Sequence, residues 1–182
     1  MTGVSEEADL ISRAREGESE AFARLVRLHE ANIRRLATGL LMDPDEAEDA
    51  AQEVFIKAHK SLPRFRGESR FSTWLHRITV NHCRDVLRRK RWPSWEGLIE
   101  TLGGEPATAA SQPDQAGRAV EARDHLERLL GGLPPHYRAI LLLRELNGLS
   151  YREIAETLGT SEDSVRAKLR RARAAALEAR RH

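Results

Sequence analysis

Cysteine is almost absent from this chain, Cys83 being the single one in 182 residues. No intramolecular disulfide can form, and no CxxC metal clip exists. Aromatic residues are also scarce, at 5%. Sheet cores lean on aromatic and β-branched side chains, so this shortage favours small helical units over a large sheet. No apolar run is long enough to span a bilayer, and the opening MTGVSEEADL lacks the pattern of a signal peptide, which makes the cytosol the expected compartment. Enzyme signatures are missing as well. There is no Gly-rich phosphate loop and no nucleophile elbow, and the seven histidines are scattered from His29 to His182 without a metal-ligand cluster. No internal repeat and no strand-like segment stands out.

What is present is charge, and its distribution. Charged residues make up 32% of the chain, against 40% hydrophobic, and the formal net charge is only +2. From Leu41 to Ile56 every charged residue is acidic: Asp43, Asp45, Glu46, Glu48, Asp49 and Glu53. By contrast, Arg84–Arg91 and Arg166–Arg173 are dominated by Arg and Lys. One acidic pole and two basic ones point to at least two kinds of partner.

Helical periodicity dominates, so the expected fold class is all-α. A short helix is predicted to end at Gly17. A long amphipathic one follows, with Phe22, Leu25, Val26, Ile33, Leu36 and Leu40 on its apolar face, to about Leu41. The segment DPDE starts a third: Asp43 can cap, Pro44 suits the first helical position, and Glu46 can complete a capping box. Its apolar side holds Ala47, Ala50, Ala51, Val54, Phe55 and Ala58. A loop with Pro63 and Gly67 leads to a fourth helix, from roughly Phe71 to Arg91. Residues 93–117, rich in Gly, Pro, Ala, Ser and Thr, read as a flexible linker between two small helical domains, 1–92 and 118–182. Within it Trp95, Leu98, Ile99 and Leu102 have a spacing that permits a short helix. Beyond it, helices are predicted over 120–130, from Pro134–Pro135 to Asn147–Gly148, from a Ser150–Glu153 capping box to Gly159, and onward from a cap at Thr160 or Ser161.

The last two of these form a helix-turn-helix pattern. Ile154, Ala155 and Leu158 pack the first, while Val165, Leu169, Ala172 and Ala176 stripe the second. Ser164, Ala167, Lys168, Arg170 and Arg171 then face away from the stripe, flanked by Arg166 and Arg173. Such a helix can enter a major groove, where Arg can bridge guanine O6 and N7. The plainer alternative is a solvated basic helix, against which the capped, glycine-turned partner helix argues. Glu162 and Asp163 would repel phosphate, but can serve the helix dipole or accept from cytosine N4.

On the fourth helix, Leu75, Ile78, His82 and Val86 share one side, and Trp74, Arg77, Asn81, Arg84 and Arg88 the other. An aromatic in line with an amide and guanidiniums is the way proteins hold unstacked single strands. Alternatively, Trp74 turns into the core. For Cys83, a buried inert thiol is preferred over a redox sensor.

The stretches EDAAQEVF and FRGESRFSTWLHRITVN, followed after a linker by LPPHYRAILLLRELNGLSYREIAETLGTSEDSVRAKLRRARAAL, resemble regions 2 and 4 of bacterial sigma-70 factors, specifically the extracytoplasmic function group. No region 1.1 or full region 3 is apparent, as expected for that group. The resemblance implies a subunit that joins core RNA polymerase and directs it to promoters, without catalysis, cofactor or metal of its own. It implies polymerase contacts on the β′ clamp helices through Asp49, Gln52, Glu53 and Phe55, and a contact with the β flap. The first three fall at i, i+3 and i+4, on one helix side. A weak cation site from Asp45, Asp49 and Glu53 is the competing reading of that face. For the −10 element the resemblance implies capture of a flipped base by Phe65, Arg66, Gly67, Glu68, Ser69 and Phe71. The following helix would assist with Trp74, Arg77, Asn81, Arg84 and Arg88. For the −35 element it implies Ser164, Arg166, Ala167, Lys168, Arg170, Arg171 and Arg173, with Ala167 departing from the serine common there. An anti-sigma partner is also implied, and no membrane contact. A stand-alone helix-turn-helix regulator is the alternative function; it leaves the acidic face and the arginine row unexplained.

Overall fold

The computed structural model describes residues 3–90 and 130–179. The expected linker at 93–117, its short helix at 95–102, and nearly all of the helix expected over 120–130 lie outside the described residues. Among the described residues the structure is helical, with no strand.

Helix α1 (Gly3–Arg15) leads through Gly17, at φ +96°, into α2 (Ser19–Leu41). At 23 residues α2 is about 35 Å long and forms the spine of the N-terminal half. Leu25, Ile33, Leu36, Ala37, Leu40 and Leu41 are buried on it. Met42 closes α2 in the left-handed region, its N–H donating to Thr38 O at 2.8 Å. Asp43 then caps α3 (Pro44–Ser61), its carboxylate accepting from the N–H groups of Asp45 and Glu46, each at 3.1 Å.

The capping box expected from Glu46 is not made. Its carboxylate pairs instead with Lys90 at the far end of the fourth helix, because tertiary packing brings an ammonium within reach. On α3 the buried residues are Ala47, Ala50, Ala51, Val54 and Ala58. Four alanines on one face let α3 approach α2 closely, since interaxial distance follows side-chain size.

A short 3₁₀ turn (Leu62–Arg64) and a loop with Gly67 at φ +74° deliver the chain to α4 (Phe71–Arg89). The burial of α4 departs from its sequence wheel. Ile78, His82 and Val86 are only half-buried, while Thr73, Trp74, Leu75, His76, Thr79, Val80, Cys83 and Leu87 are buried. The reason is that α4 is covered from two directions, by α2 and α3 on one side and by the C-terminal half on the other.

In that half α5 (Pro135–Leu141) continues through a widened π-type turn at Leu142–Leu146 to Asn147 and Gly148, the latter at φ +66°. Helix α6 (Tyr151–Leu158) opens on the complete Ser150–Glu153 capping box and closes on Gly159 at φ +65°. Ser161 Oγ accepts from Ser164 N–H at 3.2 Å, which starts α7 (Glu162–Ala179). Val165, Leu169 and Ala172 are buried on α7, against α5 and α6. The helix-turn-helix therefore stands as its periodicity predicted.

Candidate functional site

Three surfaces carry the residues singled out from sequence. The first is the outer face of α3. Asp49, Gln52 and Glu53 are exposed there, opposite the alanine face that packs on α2. Phe55 is half-buried and packs against the N-terminal core. With Phe22, Ile56, His59 and Lys60 it lines a shallow apolar groove of about 270 Å³. Ile56, 45% exposed, had no place in the sequence reading, although it lies three positions after Glu53 and four after Gln52, on the same side of α3 as the acidic row. Among the described residues, no group of three or more His, Cys, Asp or Glu is arranged to hold a metal ion.

The second surface is the loop before α4 together with that helix. Here Trp74 needs correction as a stacking residue, and Phe65 and Phe71, assigned with it to the −10 element, are buried too. Phe65, Phe71 and Trp74 are 7%, 4% and 8% exposed. Their rings form one cluster, with centroids 5.7 Å apart for Phe65–Phe71, 5.0 Å for Phe65–Trp74 and 5.4 Å for Phe71–Trp74. His29 of α2 joins at 5.3 Å from Phe71. Hydrophobic burial of large rings outweighs leaving them in water as open platforms. They are the floor that anchors both ends of the loop. Its crown is polar: Arg66, Gly67 and Glu68 are exposed, and Ser69 is half-buried. Arg66 and Glu68 are 3.8 Å apart, a weak solvated pair.

Down α4 from the loop run Arg77 and Asn81, exposed, Arg84, half-buried, and Arg88, exposed with its guanidinium 3.5 Å from Asp85. These four keep the line that the spacing predicted. Lys57 of α3 meets the other side of α4, its ammonium donating to His82 Nδ1 at 2.7 Å. Burial, and secondly Lys57, hold the His82 imidazole below its ordinary value, so the ring accepts as a neutral base. Sequence could not place Lys57 here, since its partner lies 25 positions away.

The third surface is α7. Arg170 and Arg171 are exposed, and Ser164, Ala167 and Lys168 half-buried. Burial, then Arg171, lowers the Lys168 ammonium below the usual lysine range. Arg166 is held by Asp163 at 2.7 Å and Glu162 at 3.7 Å, and Arg173 by Glu145 at 2.7 Å. Glu162 and Asp163 thus restrain the first arginine of the helix. Tyr151, another residue the sequence reading passed over, lies under the guanidiniums of Arg144 and Arg166, at 5.1 and 5.8 Å from its ring centroid. Such contacts favour cations electrostatically.

These features define a helical DNA-binding protein of the helix-turn-helix class. Residues 25–93 match the family model described as Sigma-70 region 2, and residues 123–175 that of Sigma-70, region 4. The chain is 34% identical over 181 residues to the RNA polymerase sigma-H factor of Pseudomonas aeruginosa, covering 96% of this chain and 94% of that one. It is 36% identical over 172 residues to the ECF RNA polymerase sigma-E factor of Escherichia coli, covering 91% and 90% respectively. A structure of CnrH in complex with the cytosolic domain of CnrY is similar with a TM-score of 0.71 at 26% identity, over 95% of this chain and 96% of that one. The sigma factor RpoE in complex with the anti-sigma factor NepR, from Bartonella quintana, shares the fold, with a TM-score of 0.66 at 24% identity over 87% and 95%. The chain belongs to the sigma-70 family and is a sigma factor of its extracytoplasmic function group.

Proposed function

We propose that this sigma factor divides its work among the three surfaces, with residues 1–92 acting as region 2, 93–117 as the linker and 118–182 as region 4. Asp49, Gln52 and Glu53, with the apolar neighbours Phe55 and Ile56, grip the β′ clamp helices of core polymerase. The loop crown Arg66–Ser69 takes an unstacked base of the −10 element, and Arg77, Asn81, Arg84 and Arg88 follow the strand's phosphates. The α7 row from Ser164 to Arg173 reads the −35 duplex, Arg170 and Arg171 foremost. The protein supplies no catalysis of its own and works in the cytosol. No helix among the described residues is long and apolar enough to cross a membrane.

The observation that carries this reading is the separation of charge. Carboxylates stand exposed on α3, while guanidiniums stand exposed on α4 and α7. Carboxylates repel phosphate, so α3 suits a protein partner, whereas cation rows suit nucleic acid. An anti-sigma partner is part of the same proposal, since CnrH and RpoE each form a complex with another protein in the structures cited above. Run-off transcription with purified core polymerase and a library of upstream sequences tests the whole. Transcripts dependent on this chain, with an enriched −35 and −10 pair, are expected. Specific duplex binding with no polymerase-dependent transcript supports the stand-alone regulator instead.

A further inference from the structure

Arg166 is held from two sides. Its Nη1 donates to Asp163 Oδ1 at 2.7 Å, and its Nη2 stands 3.7 Å from Glu162 Oε2. The ring of Tyr151 on α6 lies under the same guanidinium, 5.8 Å from Cζ to the ring centroid. That ring is itself supported. The Arg144 guanidinium covers it at 5.1 Å, and Arg144 Nη1 donates to Leu149 O at 2.8 Å, just ahead of the Ser150 cap. Arg170 and Arg171, a turn further along α7, form no ion pair among the described residues.

This arrangement decides what Arg166 can touch. A guanidinium flanked by two carboxylates is a net negative group, which a phosphate repels. A guanine edge is neutral and offers two acceptors, O6 and N7. Asp163 takes one N–H of the guanidinium and Glu162 faces its other terminal nitrogen, so enough donors remain in the plane for both acceptors. A free arginine loses rotamer entropy when it is fixed on a base, whereas this one is fixed beforehand. In water the pair contributes little, because the side chains of Arg166 and Asp163 are 57% and 90% exposed. In a groove that excludes water it strengthens, since the effective dielectric falls. The position agrees as well. Arg166 lies in the second turn of α7, and the N-terminal part of a recognition helix is the part that meets base edges.

We propose that Asp163 and Tyr151 are specificity-determining positioning residues. The carboxylate fixes the plane of the Arg166 guanidinium and the ring supports its face, which directs Arg166 to a guanine of the −35 duplex and away from phosphate. Neither positioning residue touches the base. This rests on the assignment of α7 to the −35 element proposed above, and adds how one of its cations is made selective. Arg170 and Arg171 stay free to reach base or phosphate.

Holoenzyme assembled from the full chain and core polymerase tests this. Its binding is measured on a promoter recovered from the run-off library, on every single-base variant of the −35 element, and on an unrelated duplex, over a range of salt. Arg166→Ala is expected to flatten discrimination at one G·C pair by about fivefold or more. Asp163→Ala should flatten the same position by a similar factor. It should also raise affinity for the unrelated duplex about threefold and steepen the salt slope by about 1, because the freed guanidinium swings onto phosphate. Specificity and affinity then move in opposite directions, which a merely structural role does not produce.

In the Arg166→Ala background, Asp163→Ala should change discrimination no further. Asp163→Glu keeps the carboxylate and Tyr151→Phe keeps the ring, so both should discriminate at that position as wild type does. Tyr151→Leu should not. Unchanged discrimination in Asp163→Ala overturns the proposal; if Arg171→Ala still flattens a position, the −35 assignment stands without it. A loss in Asp163→Ala that persists in the Arg166→Ala background makes the carboxylate a direct reader, and also overturns it. If wild type treats every −35 variant alike, the assignment of α7 fails and takes the proposal with it.

Discussion

Phe65 and Trp74 meet beneath the loop that joins α3 to α4, ring centroids 5.0 Å apart and planes tilted by 45°. Nine positions separate them in the chain, and Phe71 closes the triangle between them. The loop crown is thereby held from below, with Arg66, Gly67 and Glu68 left in solvent.

Truncating the floor should damage the fold rather than a stacking contact alone. Trp74→Ala is expected to lower stability by about 3–5 kcal/mol, and Trp74→Phe by far less. Urea unfolding measures this. A Trp74→Ala protein of wild-type stability that had lost only DNA binding would reinstate the ring as a stacking platform.

On the acidic face the opposite pattern is expected. Asp49→Arg with Gln52→Ala changes two exposed side chains, so the unfolding midpoint should hardly move. Association with core polymerase should be abolished, because a cation replaces a carboxylate in the middle of the patch. Co-purification with core enzyme is the check, and undiminished recovery rejects the face.

For α7, Arg171→Ala should weaken promoter recognition by about 1–3 kcal/mol at one position if the guanidinium reads a base, and nearly uniformly if it touches only phosphate. Binding to a set of single-base variants of the −35 duplex, at fixed salt, separates the two. Affinity equal to wild type on every duplex removes Arg171 from the interface.

His76 makes stability depend on pH. It is 5% exposed on α4, and burial, with His29 of α2 adding to it and Glu153 of α6 opposing, pushes its imidazole down to about 4 from 6.5. The unfolded chain therefore binds the proton more readily, and stability rises with pH across that window. The contribution is complete above pH 6.5 and is lost as pH falls through about 4, amounting to about 3 kcal/mol in all. Denaturant titrations between pH 7 and pH 4 should show a shallower loss for His76→Phe than for wild type. Parallel curves would assign the slope to other groups.

Cys83 should be silent toward thiol reagents. It is 1% exposed, and burial pushes the thiol up to about 12, so almost no thiolate exists at neutral pH. Alkylation of the native chain should proceed only as fast as it unfolds. Prompt labelling under native conditions would reopen a sensing role.

Much of this molecule was legible in its chain. The Ser150–Glu153 box, the Gly159 stop, the Asp43 cap and the Val165–Leu169–Ala172 stripe all follow from interactions that span a turn or two, which neighbouring residues settle among themselves. The acidic row of α3 and the arginine line of α4 followed from the same periodicity. Elsewhere the chain was ambiguous. Glu46 had a local partner available and took Lys90. Trp74 lay on the side of the wheel shared with arginines and turned inward. Val80, Cys83 and Leu87 of α4 are buried in one cluster with residues of α2, α3 and the C-terminal half, and Thr73 meets Glu153 across 80 positions. Helical period states which residues share a face. Which faces lose their water depends on what packs against them, and that is decided by the assembled core.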